Sequence, residues 1–266
     1  MEILLISTLA IIVVYYLCQK DDTVGTEYEN LVQLGLVLQL CLKHRNLSHR
    51  ALTKDFTQAQ TNELKQIFTQ SLEISETVTA NATAANRPTH RTFQTKLKAM
   101  HYDWQKREVS RNQVIHSQTI RQCMYLLDET TNEWLKKTEQ ETLIEQYHQH
   151  WQHVFDSMEA LNELRLAIFD DQSASYAQRL QSSSDKMKRK IEQLVTISPS
   201  RLATPNTALS IEKLNDIVRE KHLNLSQDEL CDLTTDISST IIQSFQHVLY
   251  DVSDQLCRPI PRMWLV

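Results

Sequence analysis

The chain has 266 residues, 41% hydrophobic and 23% charged, with a formal net charge of −5. The mild negative balance lacks the basic face of a nucleic-acid binder. Only Gly25 and Gly35 are glycine, where about 18 would be ordinary, which excludes Gly-rich phosphate loops and works against hairpin-rich sandwiches, barrels and doubly wound folds.

Residues 3–18 read ILLISTLAIIVVYYLC, without a charge. The segment is slightly short for a span of about 20 residues, but flanking side chains that snorkel extend it. Tyr15 and Tyr16 suit a membrane interface. No basic n-region precedes it and no small-x-small cleavage site follows, so it reads as an uncleaved anchor, not a signal peptide. Leu17 before Cys18 spoils a lipoprotein box. Lys20 follows the segment, which by the positive-inside rule sets the remaining chain on the cytoplasmic side. The expectation is a single pass through a bacterial inner membrane.

Residues 19–27 read as a polar linker. From residue 28 onward apolar residues recur at three- and four-residue steps, the helical period. The first helix is expected over Tyr28–Leu52. The next carries Phe56, Leu64, Ile67 and Leu72, and a loop follows at 81–88. Phe93, Leu97, Met100 and Trp104 mark a third face, and Ile120, Cys123, Leu127 and Trp134 a fourth. Thr138-Glu139-Gln140-Glu141 has the capping-box pattern and is expected to open a long helix to Phe169. Tyr176, Leu180, Met187, Ile191 and Leu194 define the next. A break covers 198–207, with Pro199 and Pro205. A short helix carries Ile211, Leu214 and Ile217. Ser226-Gln227-Asp228-Glu229 is a second capping box, opening a helix through Leu230, Ile237, Phe245 and Val252. Pro259 and Pro261 end it in a tail, 258–266. The expected fold is all-α: about eight helices in one antiparallel bundle or two stacked bundles over 28–257, preceded by the transmembrane helix. No internal sequence repeat is evident.

Two arginines fall on apolar stripes. Leu31, Leu34, Leu38 and Cys41 lead to Arg45, then Ser48 and Leu52. Tyr147, Trp151, Val154, Met158 and Leu161 lead to Arg165, then Ile168. A guanidinium is always charged, and burying one without a partner costs several kcal/mol. Each must snorkel, meet a carboxylate such as Glu159 or Glu163, or meet a bound anion. Two arginines on facing helices would form a pocket for a small planar oxyanion, matched to their forked donors.

The segment Leu40-Cys41-Leu42-Lys43-His44-Arg45-Asn46-Leu47-Ser48 resembles the first-helix motif of nitrate- and nitrite-sensing domains, approximately L-Q-x-E-R-G-x-S. Arg45 and Ser48 match it; His44 replaces the usual Glu and Asn46 the usual Gly. Ala160-Leu161-Asn162-Glu163-Leu164-Arg165-Leu166-Ala167 is similar to the second motif, approximately A-G-x-E-R-A, with Arg165 matching, the Gly missing and the Glu displaced. The resemblance implies an all-helical sensor over 28–257 that binds nitrate or nitrite through Arg45, Ser48 and Arg165. The sequence has no G-x-S-x-G elbow and no kinase, cyclase or methyl-accepting signature, so no catalysis and no cofactor are expected, and an anion sensor built on this chain would need a separate output partner.

Other constellations are weaker. Glu145-x-x-His148 has di-iron spacing but lacks a second copy, and His148, His150 and His153 cluster on a polar face. Cys18, Cys41, Cys123, Cys231 and Cys257 show no C-x-x-C spacing. Lys186-Met187-Lys188-Arg189-Lys190 reads as a solvated helix face. The leading expectation is a membrane-anchored helical anion sensor. The alternatives are a ligand-free scaffold and, behind it, a metal-dependent enzyme built on the 148–153 region.

Overall fold

The computed structural model describes the backbone of residues 2–53, 57–169, 175–197, 202–219 and 225–257, and side chains in those ranges from residue 24 onward. The described residues are helical: α1 Glu2–Thr53, α2 Gln58–Asn81, α3 Arg87–His101, a 3₁₀ turn Trp104–Lys106, α4 Val109–Lys137, α5 Glu141–Phe169, α6 Tyr176–Ile197, α7 Pro205–Arg219 and α8 Gln227–Gln255. Residues 3–18 lie within α1, but their side chains are outside the described residues. Among the described residues no helix is long and apolar enough to cross a membrane.

Local chemistry sets the helix starts. Thr57 and Gln60 cap α2 reciprocally, with the Gln60 Oε1 accepting from the Thr57 N–H at 2.8 Å. Ser226 and Glu229 do the same for α8. Pro88 lies in the first turn of α3 and Pro205 is the first residue of α7, where a missing N–H costs nothing. The expected box at Thr138 does not form. Thr138 ends α4 instead: its N–H reaches the carbonyls of Trp134 and Leu135, and its Oγ1 donates to Leu135 O at 2.7 Å. Glu139, at φ 58°, then turns the chain into α5. The unpaired carbonyls at the end of α4 win the threonine.

The expected linker at 19–27 is also absent as a break, because α1 runs through it. Val24 joins the core, and Glu27, buried, accepts from Lys137 Nζ at 2.7 Å. Helical burial thus extends one turn upstream of Tyr28, and α4 supplies the counter-charge that the local polar composition does not reveal.

The helices fall into two units of the same plan. In the first, α1 packs on α2 and α4, and α3 packs on both α2 and α4. In the second, α5 packs on α6 and α8, and α7 packs on both α6 and α8. The lengths correspond: 24, 15 and 29 residues for α2–α4, and 22, 15 and 29 for α6–α8. So does the register. Leu31, Leu34, Leu38, Cys41 and Arg45 are buried, and so are Trp151, Val154, Met158, Leu161 and Arg165, each about 120 positions later. Ile120, Met124 and Leu127 of α4 correspond in the same way to Ile241, Phe245 and Val248 of α8. The packing of α4 on α5 joins the units, and one continuous core runs through both. Each fully buried Leu, Ile or Phe in it contributes roughly 1.5–3 kcal/mol relative to exposure.

Candidate anion site between the two units

Arg45 and Arg165 occupy equivalent positions on α1 and α5, and both are buried, at 2% and 5% exposure. They reach successive turns of one helix. Arg45 Nη2 donates to Ser238 Oγ of α8 at 3.3 Å, and Arg165 Nη2 donates to Thr234 O at 3.0 Å. The Nη1 of Arg45 is enclosed without a hydrogen-bond partner. Among the described residues neither guanidinium meets a carboxylate. Glu159 is taken by Arg121 at 3.1 Å, and Glu163 by Lys186 at 2.7 Å. Burial pushes Arg45 down to about 10. Arg165 is held well below the ordinary arginine value by burial, then by the charge of Arg45. The two cations therefore feel each other, and no carboxylate among the described residues is in ion-pair contact with them.

Other unpaired polar atoms gather nearby. The Oγ of Ser117, on α4, is enclosed and unpartnered. It lines, with Arg165, Gln113 and Asn162, a cavity of about 30 Å³. A void of that size holds a water or a small anion, not a nucleotide or a sugar. His49 lies one helical turn beyond Arg45, on the same face of α1. Its Nδ1 is likewise enclosed and unpartnered. Burial lowers its pKa, Asp228 and Asp232 of α8 raise it, and Arg45 and Arg165 lower it.

Ser48 is buried, but its bonds run to α4 and to its own helix. Its Oγ donates to Arg45 O at 3.1 Å and accepts from Asn112 Nδ2 at 3.0 Å. It also lies 3.5 Å from His116 Nε2, at one end of a three-imidazole chain. His116 Nδ1 donates to Asn112 O at 2.7 Å, which leaves its Nε2 an acceptor. His44 Nδ1 must then be the donor to it, at 2.9 Å. His44 Nε2 accepts in turn from His101 Nδ1, at 3.2 Å. Phe68 stacks on His101, with ring centroids 4.3 Å apart. Burial first, then His116, His101 and Arg107, hold His44 well below the usual histidine range. Burial pushes His116 down to about 3, with Arg45 and Arg107 acting in the same direction. All bonds of the chain are satisfied with three neutral rings.

The remaining candidates separate from this site. His148 is exposed and His150 and His153 are half-buried on α5. Among the described residues no group of three or more His, Cys, Asp or Glu is placed to hold a metal ion. Cys41, Cys123 and Cys231 are buried free thiols and Cys257 an exposed one; Cys18 lies outside the described side chains. The basic run is paired with acids: Lys186 with Glu163, Arg189 with Asp185, Lys190 with Asp156. A groove of about 500 Å³ between α1 and α8 is lined by Leu40, Leu47, Arg50, Ile242 and neighbours.

The stripe argument points to Arg45 and Arg165, and the fold brings them to one helix. It does not identify Thr234, Ser238, Ser117, His49 or the imidazole chain. Of these only His49 carries a sequence signal, its position four residues after Arg45. No known family, curated protein or solved structure matches the chain.

Proposed function

We propose that the protein is a membrane-anchored helical sensor that binds a small planar anion, nitrate or nitrite, between its two four-helix units. One observation carries this reading: two buried guanidiniums, one from each unit, have no carboxylate partner among the described residues, and one of them has an idle donor. An isolated buried charge is costly enough that proteins pair it, and a planar oxyanion fits forked donors. Arg45 and Arg165 are the ligand groups, and Ser48 fixes the backbone at Arg45 from its own side of α1. An anion shared by α1 and α5 favours the arrangement of the units that brings the arginines together, which is a population shift. Residues 3–18 form the single-pass anchor in a bacterial inner membrane, the helical units face the cytoplasm, and a separate protein receives the signal. No catalysis is assigned.

A melting scan of the full chain with nitrate or nitrite tests this. Saturation at a hundredfold excess over Kd stabilises by about 2.7 kcal/mol, a rise of roughly 5–10 °C for a domain of this size. Arg45→Met and Arg165→Met lose the response and, without anion, melt higher than the parent, because each removes an uncompensated buried cation. A parent that ignores every small anion, or an Arg45→Met protein that responds like the parent, sinks the reading.

A further inference from the structure

We infer that His49 is a third ligand group of the arginine site and that it takes up a proton when the anion binds. The inference rests on the anion reading of Arg45 and Arg165 and adds a proton to it. Two features of geometry support it, together with the charges around it. His49 follows Arg45 by four residues on an unbroken helix, so the two side chains rise from the same face of α1. Its Nδ1 is enclosed and bonded to nothing, like the Nη1 of Arg45. The charges that act on it come from three helices: Arg45 from α1, Arg165 from α5, and Asp228 and Asp232 from the start of α8.

Those neighbours act in opposite directions. Without an anion, burial and the two guanidiniums keep the imidazole neutral. With a monovalent anion on the arginines, their field at His49 is weakened, while Asp228 and Asp232 still favour a cation. One ring nitrogen then takes a proton from solvent, and the imidazolium donates to the anion. The proton is bound only in the complex, so affinity rises as pH falls through the histidine range and levels off on the alkaline side. The site so completed has three cationic donors around one small anion, with two carboxylates at its rim. It takes up an anion and a proton together, the proton residing on His49.

Calorimetric titration of the full chain with sodium nitrate, at pH 6.0 and 8.0 and in two buffers of different ionisation enthalpy, tests this. The expected result is binding about fivefold tighter or more at pH 6.0, with a buffer-dependent heat that reports proton uptake. His49→Gln is expected to bind with the weaker affinity at both pH values and with no buffer dependence. His49→Lys carries a fixed charge and is expected to bind nitrate with little pH dependence. Melting of each variant without nitrate shows that it is folded, and a fold lost in one leaves the other to decide. Parent binding that ignores pH, or a pH dependence that survives in His49→Gln, overturns the role of His49 and leaves the arginine site standing. No nitrate binding by the parent at either pH overturns both.

Discussion

The two four-helix units share a plan but fill it differently. Where the second unit buries Leu164, Ile168, Leu233 and Ile237, the first buries His44, Ser48, Asn112 and His116 at the corresponding positions. The apolar set needs nothing beyond close packing. The polar set needs every donor and acceptor met, because an orphaned buried group costs roughly 1–3 kcal/mol. The arginines, by contrast, are common to both units. What the two units share thus sits at their junction, and what distinguishes them lies inside one of them. The first unit is therefore the one whose integrity depends on protonation and on exact hydrogen bonding.

Three experiments break or sharpen this contrast. The largest effect is expected from acid. His44 and His116 are neutral in the fold, with pKa values pushed below the ordinary 6.5 mainly by burial. The unfolded chain therefore binds more protons below pH 6.5. Stability is fully present above that value and falls as pH drops, by about 3 kcal/mol for the two groups between pH 6.5 and 5. Urea unfolding across that range measures the loss. Hydrogen exchange should show α1 and α4 opening before α5 and α8, and simultaneous opening would show that the units do not differ in this way.

Next comes His116→Leu, which orphans the buried His44 Nδ1–H and should cost about 1–3 kcal/mol. Converting the four polar positions together to their apolar counterparts (His44→Leu, Ser48→Ile, Asn112→Leu, His116→Ile) should cost less than that single change, because the partners left over, the Nδ1–H of His101 and the guanidinium of Arg107, are only half-buried. A larger loss in the fourfold variant would mean that shape, not hydrogen bonding, separates the units. The smallest effect belongs to Lys137→Met, which removes the partner of buried Glu27. Lys137 is itself a third exposed, so the expected cost is about 0.5–1 kcal/mol; a change within error would show that Val24 and its neighbours hold this turn of α1 unaided.

The helices and their buried faces were almost wholly legible, because three- and four-residue spacing is a local signal that tertiary packing here reinforces. Leu230 through Val252 and Leu180 through Leu194 are buried as their spacing requires. The buried arginines were legible for the same reason, being out of place on apolar stripes. Thr138 misled because a capping pattern does not say which helix end will claim the side chain. The repeat stayed hidden because it is one of burial, not identity: Leu34 answers to Val154 and Met124 to Phe245. The imidazole chain was invisible because His44, His101 and His116 come from α1, α3 and α4, and only the fold places them end to end. The approach of Arg45 and Arg165 to α8 belongs to the same class of long-range fact.

One feature of α1 bears on how such a site could be read at a distance. The helix is continuous from Glu2 to Thr53, with no proline between its start and Arg45. At about 1.5 Å per residue its 52 residues make a shaft roughly 78 Å long. A shaft without a hinge transmits angle as well as displacement. Twisting at the arginine end becomes a change of phase at the far end, where each residue accounts for about 100° of turn. Whatever lies against its first turns meets a different face of the helix for every residue inserted or removed between the two, so the length of this stretch fixes which face is presented as much as its composition does.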